Sequence, residues 1–352
     1  MSSSPAQRFG ASADASSPAS SAPAAADFRP AMGIRSGNAQ TIWPHVFRNV
    51  PSVPLQREVW SVAQDRVIDV TLVPDKPNAP GVVILHGMEA RAESGYMRGF
   101  LGACHALGWN AAAWEFPSCG PSAARQRGLY NAGRTDDMES LREQTSTRWG
   151  HPPLAVIGIS LGGNVLLKWL GEQGAASRLR AAVAISVPFD LSACAKRLDA
   201  PGFFSWIYRE RFLRTLRRKA LREGERGAVP YTAEAVKGIR TFAEFDAVVT
   251  APLFGFANAE DYWHRSSSVG FLPRIRRPTL LLSAKDDPFV GSAVVPYDAV
   301  RDNPFLTLWL SERGGHVGFV GGSVFHPRFI AESVALTFLQ TQFAGDALPT
   351  TI

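Results

Sequence analysis

Short, mostly apolar runs recur along the chain, and between them apolar residues fall three or four apart. Val82, Val83, Ile84 and Leu85 form one such run, and residues 111–116, 154–157, 181–187, 278–284 and 305–311 form others. Runs of this length fit strands buried on both faces, as in a parallel sheet. Residues 58–62 and 67–73 are also strand-like. The spacing predicts a helix over 94–109, with Tyr96, Phe100, Leu101 and Leu107 on its inner side. A second is predicted over 135–149, capped by Thr135 with acids in its first turn. A third follows at 164–170. The alternation predicts an α/β fold: a mostly parallel central sheet flanked by helices.

That beat breaks after Pro188. From about 196 to 265 no buried-strand run occurs, only helical or loop-like text with scattered rings. Phe203, Phe204, Trp206, Tyr208, Phe242, Phe245, Phe254, Phe256, Tyr262 and Trp263 fall here. An aromatic insertion between two core strands reads as a helical cap. Most of its rings form its own core, and a few line an apolar pocket. Residues 1–29 are rich in Ser, Ala and Pro and are expected to be a disordered tail, since they hold too little apolar surface to offset ordering. They lack a basic stretch followed by an apolar one, so they do not read as a secretory signal. Residues 30–352 are expected to form one domain with the cap inserted at about 196–265.

Gly158, Ile159, Ser160, Leu161 and Gly162 form a G-x-S-x-G pattern. Its setting is strand before and helix after. A serine on so sharp a turn has its hydroxyl pushed into the open, and small flanking residues avoid the neighbouring strand and helix. This is the nucleophile elbow of the α/β-hydrolase fold. The rivals are a glycine-rich phosphate turn and an ordinary tight turn.

An acid and a histidine should follow in that order. Strand 278–284 runs into Lys285, Asp286, Asp287 and Pro288. An acid just past a strand's carboxyl end sits where α/β sheets build their sites. Asp287 is preferred because the proline after it fixes a turn that aims it over the sheet. Asp286 is the alternative. Strand 305–311 is followed by Gly314, Gly315, His316, Val317 and Gly318. His316 would be the general base for Ser160, with Asp287 orienting its ring. The oxyanion donors would be the backbone N–H groups of Leu161 and Met88, the latter in the loop after strand 82–85. His86, between that strand and Gly87, reads as a loop-shaping residue rather than a base.

With these stretches in place the chain resembles the YheT-like branch of the α/β-hydrolases, which includes the abhydrolase-domain 1, 2 and 3 proteins. The resemblance rests on Ser36 to Pro44 (SGNAQTIWP), Leu85 to Glu89 (LHGME), Gly158 to Asn164, Asp286 to Phe289 and Gly314 to Phe319. It implies a carboxylesterase or lipase acting on acyl esters. Departures are Glu89 to Ala92, which lack a glycine and serine common there, Phe116 to Gly120, and Asn131 in place of a frequent histidine.

Composition adds bounds. The chain has 352 residues, 45% hydrophobic and 19% charged, which describes a globular protein with a large core. No apolar run reaches the roughly 18 residues of a spanning helix. Three widely spaced cysteines fit a reducing, cytoplasmic location. No metal or organic cofactor is implied, because the triad supplies nucleophile and proton transfer unaided. The net charge of +6 is mild. Arg209, Arg211, Arg214, Arg217, Arg218, Lys219 and Arg222 cluster with Phe212, Leu213, Leu216 and Leu221, as in an amphipathic helix with a basic face. A solvated outer face is the favoured reading, and weak peripheral membrane contact the alternative. No nucleic-acid reader fold accompanies the charge. The expected partner is a small-molecule or lipid ester. An acyltransferase, an amidase or peptidase, or a decayed membrane-surface binding protein are the rival readings.

Overall fold

A computed structural model describes residues 24–50, 52–63, 66–124 and 128–344. Eight strands form the main sheet: β1 (Gln56–Ala63), β2 (Arg66–Leu72), β3 (Gly81–Leu85), β4 (Asn110–Trp114), β5 (Ala155–Ile159), β6 (Ala181–Ile185), β7 (Thr279–Ala284) and β8 (Leu306–Ser311). Their order is β1-β2-β4-β3-β5-β6-β7-β8. The β1–β2 and β2–β4 pairs are antiparallel, and every pairing from β4 to β8 is parallel. Every residue of β3 to β7 is buried, which is why these strands are almost wholly apolar, with Asn110, Thr279 and Ser283 the polar exceptions. Alternate residues serve opposite faces: Val83 and Leu85 join one core cluster, Val82 and Ile84 the other.

Helices α1 (Gly37–Phe47), α2 (Gly95–Ala106), α3 (Asp137–Trp149) and α4 (Leu161–Gln173) lie in the first half. Between β6 and β7 the chain is helical throughout: α5 (Leu191–Asp199), α6 (Phe203–Arg226), α7 (Ala233–Gly238), α8 (Phe242–Phe245), a π-helical turn Asp246–Thr250, α9 (Ala251–Phe254) and α10 (Ala259–Ser266). Helices α11 (Tyr297–Asp302) and α12 (Ile330–Ala344) complete the fold, with a small β9–β10 hairpin (Val320–Gly322, Pro327–Phe329) between α11 and α12 in sequence.

Three local expectations are corrected. Thr135 does not cap α3: Asp136 takes that position without a side-chain bond, and the Thr135 hydroxyl donates to Glu172 instead. Leu107 is not on the inner side of α2, because the helix ends at Ala106 and Leu107 is 39% exposed. Met97 and Cys104 fill that face. Of the expected tail, residues 1–23 lie outside the described residues, but Phe28 is buried, with its ring 6.2 Å from Trp309 and 6.3 Å from Phe319. Phe28 therefore packs on β8 and the segment after it, so this part of the expected tail is ordered.

Candidate active site

Ser160 follows β5 and starts α4 with φ 53° and ψ −119°, a strained conformation for a residue with a side chain. Its N–H donates 2.7 Å to the Ile185 carbonyl, so the sheet itself grips the turn. The turn closes only because its neighbours lack side chains. A Cβ on Gly158 would stand 2.6 Å from the Gly162 carbonyl oxygen, and one on Gly162 would stand 2.6 Å from that of Leu85. Asn164, one turn into α4, ties this corner to its surroundings. Its Nδ2 donates to the carbonyls of Ala132 and Ser266, each at 2.8 Å, and its Oδ1 accepts the Ser268 N–H.

His316 arrives from the loop after β8. Its Nε2 lies 2.9 Å from Ser160 Oγ and its Nδ1 lies 2.8 Å from Asp287 Oδ2. Asp287 is buried, and its Oδ1 accepts the Phe289 and Val290 N–H groups, leaving Oδ2 for the imidazole. Asp286 faces elsewhere: its Oδ1 accepts the N–H groups of Gly314 and Gly315 at 2.8 and 2.9 Å. It braces the histidine loop and does not touch the ring. Burial raises its pKa, against those two bonds.

Other supports went unassigned in the sequence. The His316 N–H donates to Thr41 Oγ1 at 2.9 Å, and the Val317 N–H to Ser186 Oγ at 3.0 Å. Gln40, fully buried, donates to the carbonyls of Ile34 and Val320 and accepts the Val320 N–H. The Gln40–Thr41 pair in the early motif thus clamps the loop that carries His316. The signal was in the sequence, but its task shows only when the two ends of the chain meet.

The loop after β3 lies beside Ser160. His86 is fully buried, and that burial lowers its pKa to about 4. Its Nε2 accepts the Phe116 N–H, so the proton sits on Nδ1, which donates to the Gly87 carbonyl at 2.6 Å. A neutral imidazole locked on both sides shapes the loop and has no free nitrogen for proton transfer. Tyr96 receives the Gly87 N–H, and Tyr130 receives the Glu89 N–H while donating to Glu89 Oε1. Between these bonds the Met88 N–H has no acceptor among the described residues, and neither does that of Leu161.

Two compartments meet at Ser160 and His316, and Met88 and Phe289 also line both. One, of about 120 Å³, lies beneath the helical insertion and is lined by residues including Leu161, Leu198, Phe242, Phe245 and Trp263. The other, of about 340 Å³, opens between α1 and α6 past His45, Ile207 and Arg211. Trp206 and Phe254, expected aromatics of the insertion, line neither; Trp206 is 53% exposed.

The basic residues of α6 do not form one face. Arg209 donates to the Leu198 carbonyl and Arg217 to that of Ile239 and to Glu210. Lys219 turns inward to Glu89 Oε1 at 2.7 Å. Arg214, Arg218 and Arg222, one turn apart, remain on the outside beside Lys237. Among the described residues no helix is long and apolar enough to cross a membrane.

A parallel sheet with a serine on the strand–helix corner and a histidine loop after its last strand defines an α/β-hydrolase. A family profile described as alpha/beta hydrolase fold matches residues 80–323. The chain belongs to the α/β-hydrolase family, and within it to the YheT-like branch. YheT of Escherichia coli (strain K12) is 32% identical over 90% of this chain and 94% of that protein. The monoacylglycerol lipase of Saccharomyces cerevisiae is 31% identical over 68% of this chain and 55% of its own length. Human phospholipase ABHD3 is 24% identical over 84% and 74%. In fold alone, Pyrococcus furiosus esterase Pf2001 matches with TM-score 0.54 and 17% identity, covering 84% of this chain and 98% of that one.

Proposed function

We propose that this protein hydrolyses carboxylic esters through an acyl-enzyme on Ser160. The observation that carries the reading is the unbroken line Ser160 Oγ, His316, Asp287, with contacts of 2.9 and 2.8 Å. Lipase and phospholipase relatives point the same way. As Ser160 Oγ bonds to the ester carbonyl carbon, its proton passes to His316 Nε2. The carbonyl oxygen becomes an oxyanion and accepts from the free N–H groups of Met88 and Leu161. Asp287 holds the ring with Nε2 toward serine and stabilises the imidazolium. Collapse breaks the bond to the alcohol oxygen, which takes the Nε2 proton and leaves. Water then gives a proton to Nε2, attacks the acyl carbon, and collapse returns that proton to Ser160 Oγ as the acid departs.

The two compartments divide the substrate. The acyl group stays attached to Ser160 while the alcohol leaves and water enters, so the smaller, mostly apolar compartment beneath the insertion suits the acyl chain and the larger, more polar one the alcohol and water. The smaller volume of about 120 Å³ is near the roughly 150 Å³ that admits one benzene. Short acyl chains therefore fit best. A panel of p-nitrophenyl esters should show kcat/KM rising to a maximum among short acyl groups and then falling. An undiminished rise to long chains would contradict this assignment. Acyl transfer to an added alcohol or amine in the same panel separates an acyltransferase from an esterase, and turnover of the matching p-nitroanilides separates an amidase.

For the partner surface, a lipid interface is favoured by one observation. Phe203, Phe204 and Trp206 at the start of α6 and Val46 and Phe47 at the end of α1 are exposed. Val46 and the neighbouring Ile207 also line the open compartment, and the outward arginines of α6 continue from there. Apolar rings and basic charge side by side suit an anionic lipid surface.

A further inference from the structure

The reaction above leaves Asp246 without a task, although it lines the same compartment as Ser160 and His316. It opens the π-helical turn Asp246–Thr250, whose wider winding is closed by the Ala251 N–H reaching back to the Asp246 carbonyl. Such turns are rare and gather at functional sites.

Its carboxyl is under-used. Oδ1 accepts the Thr250 hydroxyl at 2.7 Å, and Oδ2 accepts the Trp263 indole N–H at 2.8 Å. Both donors are neutral, and no cation contributes to holding the charge. Two carboxylate oxygens offer about four acceptor positions, so roughly half remain open. Burial pushes the pKa up to about 6.

Tyr262 supplies the complement in the same compartment. Its oxygen accepts the Ala132 N–H at 2.9 Å, and its own proton has no acceptor among the described residues. Burial, with the Asp246 charge nearby, raises the phenol further from ionisation. The compartment thus presents an acceptor and a donor in a mostly apolar wall, where the Thr250 and Tyr130 hydroxyls donate to Asp246 and Glu89 and Asn131 Oδ1 receives the Gly133 N–H. A hydroxyl matches both, since it donates once and accepts twice. A methyl group uses neither, and an ammonium leaves the phenol proton unused.

We infer that Asp246 is a specificity-determining residue that accepts a hydrogen bond from a hydroxyl on the acyl chain, so that the favoured substrates are esters of short hydroxylated acids. This rests on the reading that the compartment beneath the insertion holds the acyl group of an ester attacked by Ser160.

The test uses the full chain and paired p-nitrophenyl esters. Each ω-hydroxyacyl ester is compared with the ester carrying methyl in place of hydroxyl, over increasing chain length. At the matching length the parent protein should turn over the hydroxy ester at least as well as its methyl partner. Asp246→Leu should lower the hydroxyl-to-methyl ratio of kcat/KM about tenfold, the scale of an unsatisfied buried polar group. Asp246→Asn, which keeps the size and one acceptor oxygen, should lower it less. A merely structural role would move both esters together and leave the ratio alone. Should Asp246→Leu fail to fold, the parent ratio and Asp246→Asn decide. A parent protein that prefers the methyl ester about tenfold at every length overturns this assignment alone. Absence of Ser160-dependent turnover of any ester overturns it together with the esterase reading.

Discussion

Two adjacent aspartates divide one loop between them, and the division is made by direction. Asp287 turns to the His316 ring, while Asp286 turns to the backbone of Gly314 and Gly315. Sequence order could place an acid here but could not fix that direction. Asp287→Asn should lower kcat by orders of magnitude, toward the about 10⁴-fold known from a serine protease, because an amide favours the wrong imidazole tautomer. Asp286→Asn keeps an oxygen for the two glycine N–H groups and should lower kcat far less. The reverse ranking in steady-state kinetics would move the acid's role to Asp286. Asp246 makes a different residue-scale claim, about stability. Its folded pKa of about 6 lies above the ordinary 3.8, chiefly through burial, with Asp199 adding to the rise. The native state therefore holds its proton longer than the unfolded chain. Stability from this group is fully present below about pH 4 and is lost as pH rises through about 6. The difference corresponds to on the order of 3 kcal/mol. In urea unfolding, the parent should lose ground to Asp246→Asn between about pH 4 and pH 7. A gap constant with pH would show that the carboxyl carries no such penalty.

Among the elements, the strands were the most legible and the helices between β6 and β7 the least. A strand buried on both faces is apolar at nearly every position, so β3, β5, β6 and, apart from Thr279 and Ser283, β7 announce themselves. A helical insertion with its own core shows only that rings are present, and not which of them face the substrate. Phe242, Phe245, Tyr262 and Trp263 reach the compartment beneath the insertion, while Trp206 points to solvent. Helix α6 shows the same limit for charge. Its basic residues look alike in sequence, yet Arg217 and Lys219 are held by Glu210 and Glu89. Arg214, Arg218 and Arg222 face outward. Changing these three to Gln should weaken sedimentation with anionic liposomes by roughly a hundredfold, at about 1 kcal/mol for each basic residue near such a surface. Hydrolysis of soluble short esters should persist. Liposome binding that stays the same would reduce this stretch to a solvated helix face.

At the scale of the whole molecule, the parts that escaped the sequence are those that join distant segments. Phe28 docks on Trp309 and Phe319, and Gln40 and Thr41 hold the backbone around His316 and Val320. Each contact spans nearly the length of the chain, so no local pattern encodes it. The corner at Ser160 was legible because its constraint is local: the glycines that let it close lie within a few residues of it. The same corner is where the account is tested most directly. The parent protein and Ser160→Ala should be treated with a fluorophosphonate probe and their intact masses compared. The account predicts a single stoichiometric adduct on the parent, mapped to the peptide containing Ser160, and none on the variant, with both proteins folded by circular dichroism. Equal labelling of parent and variant would contradict it.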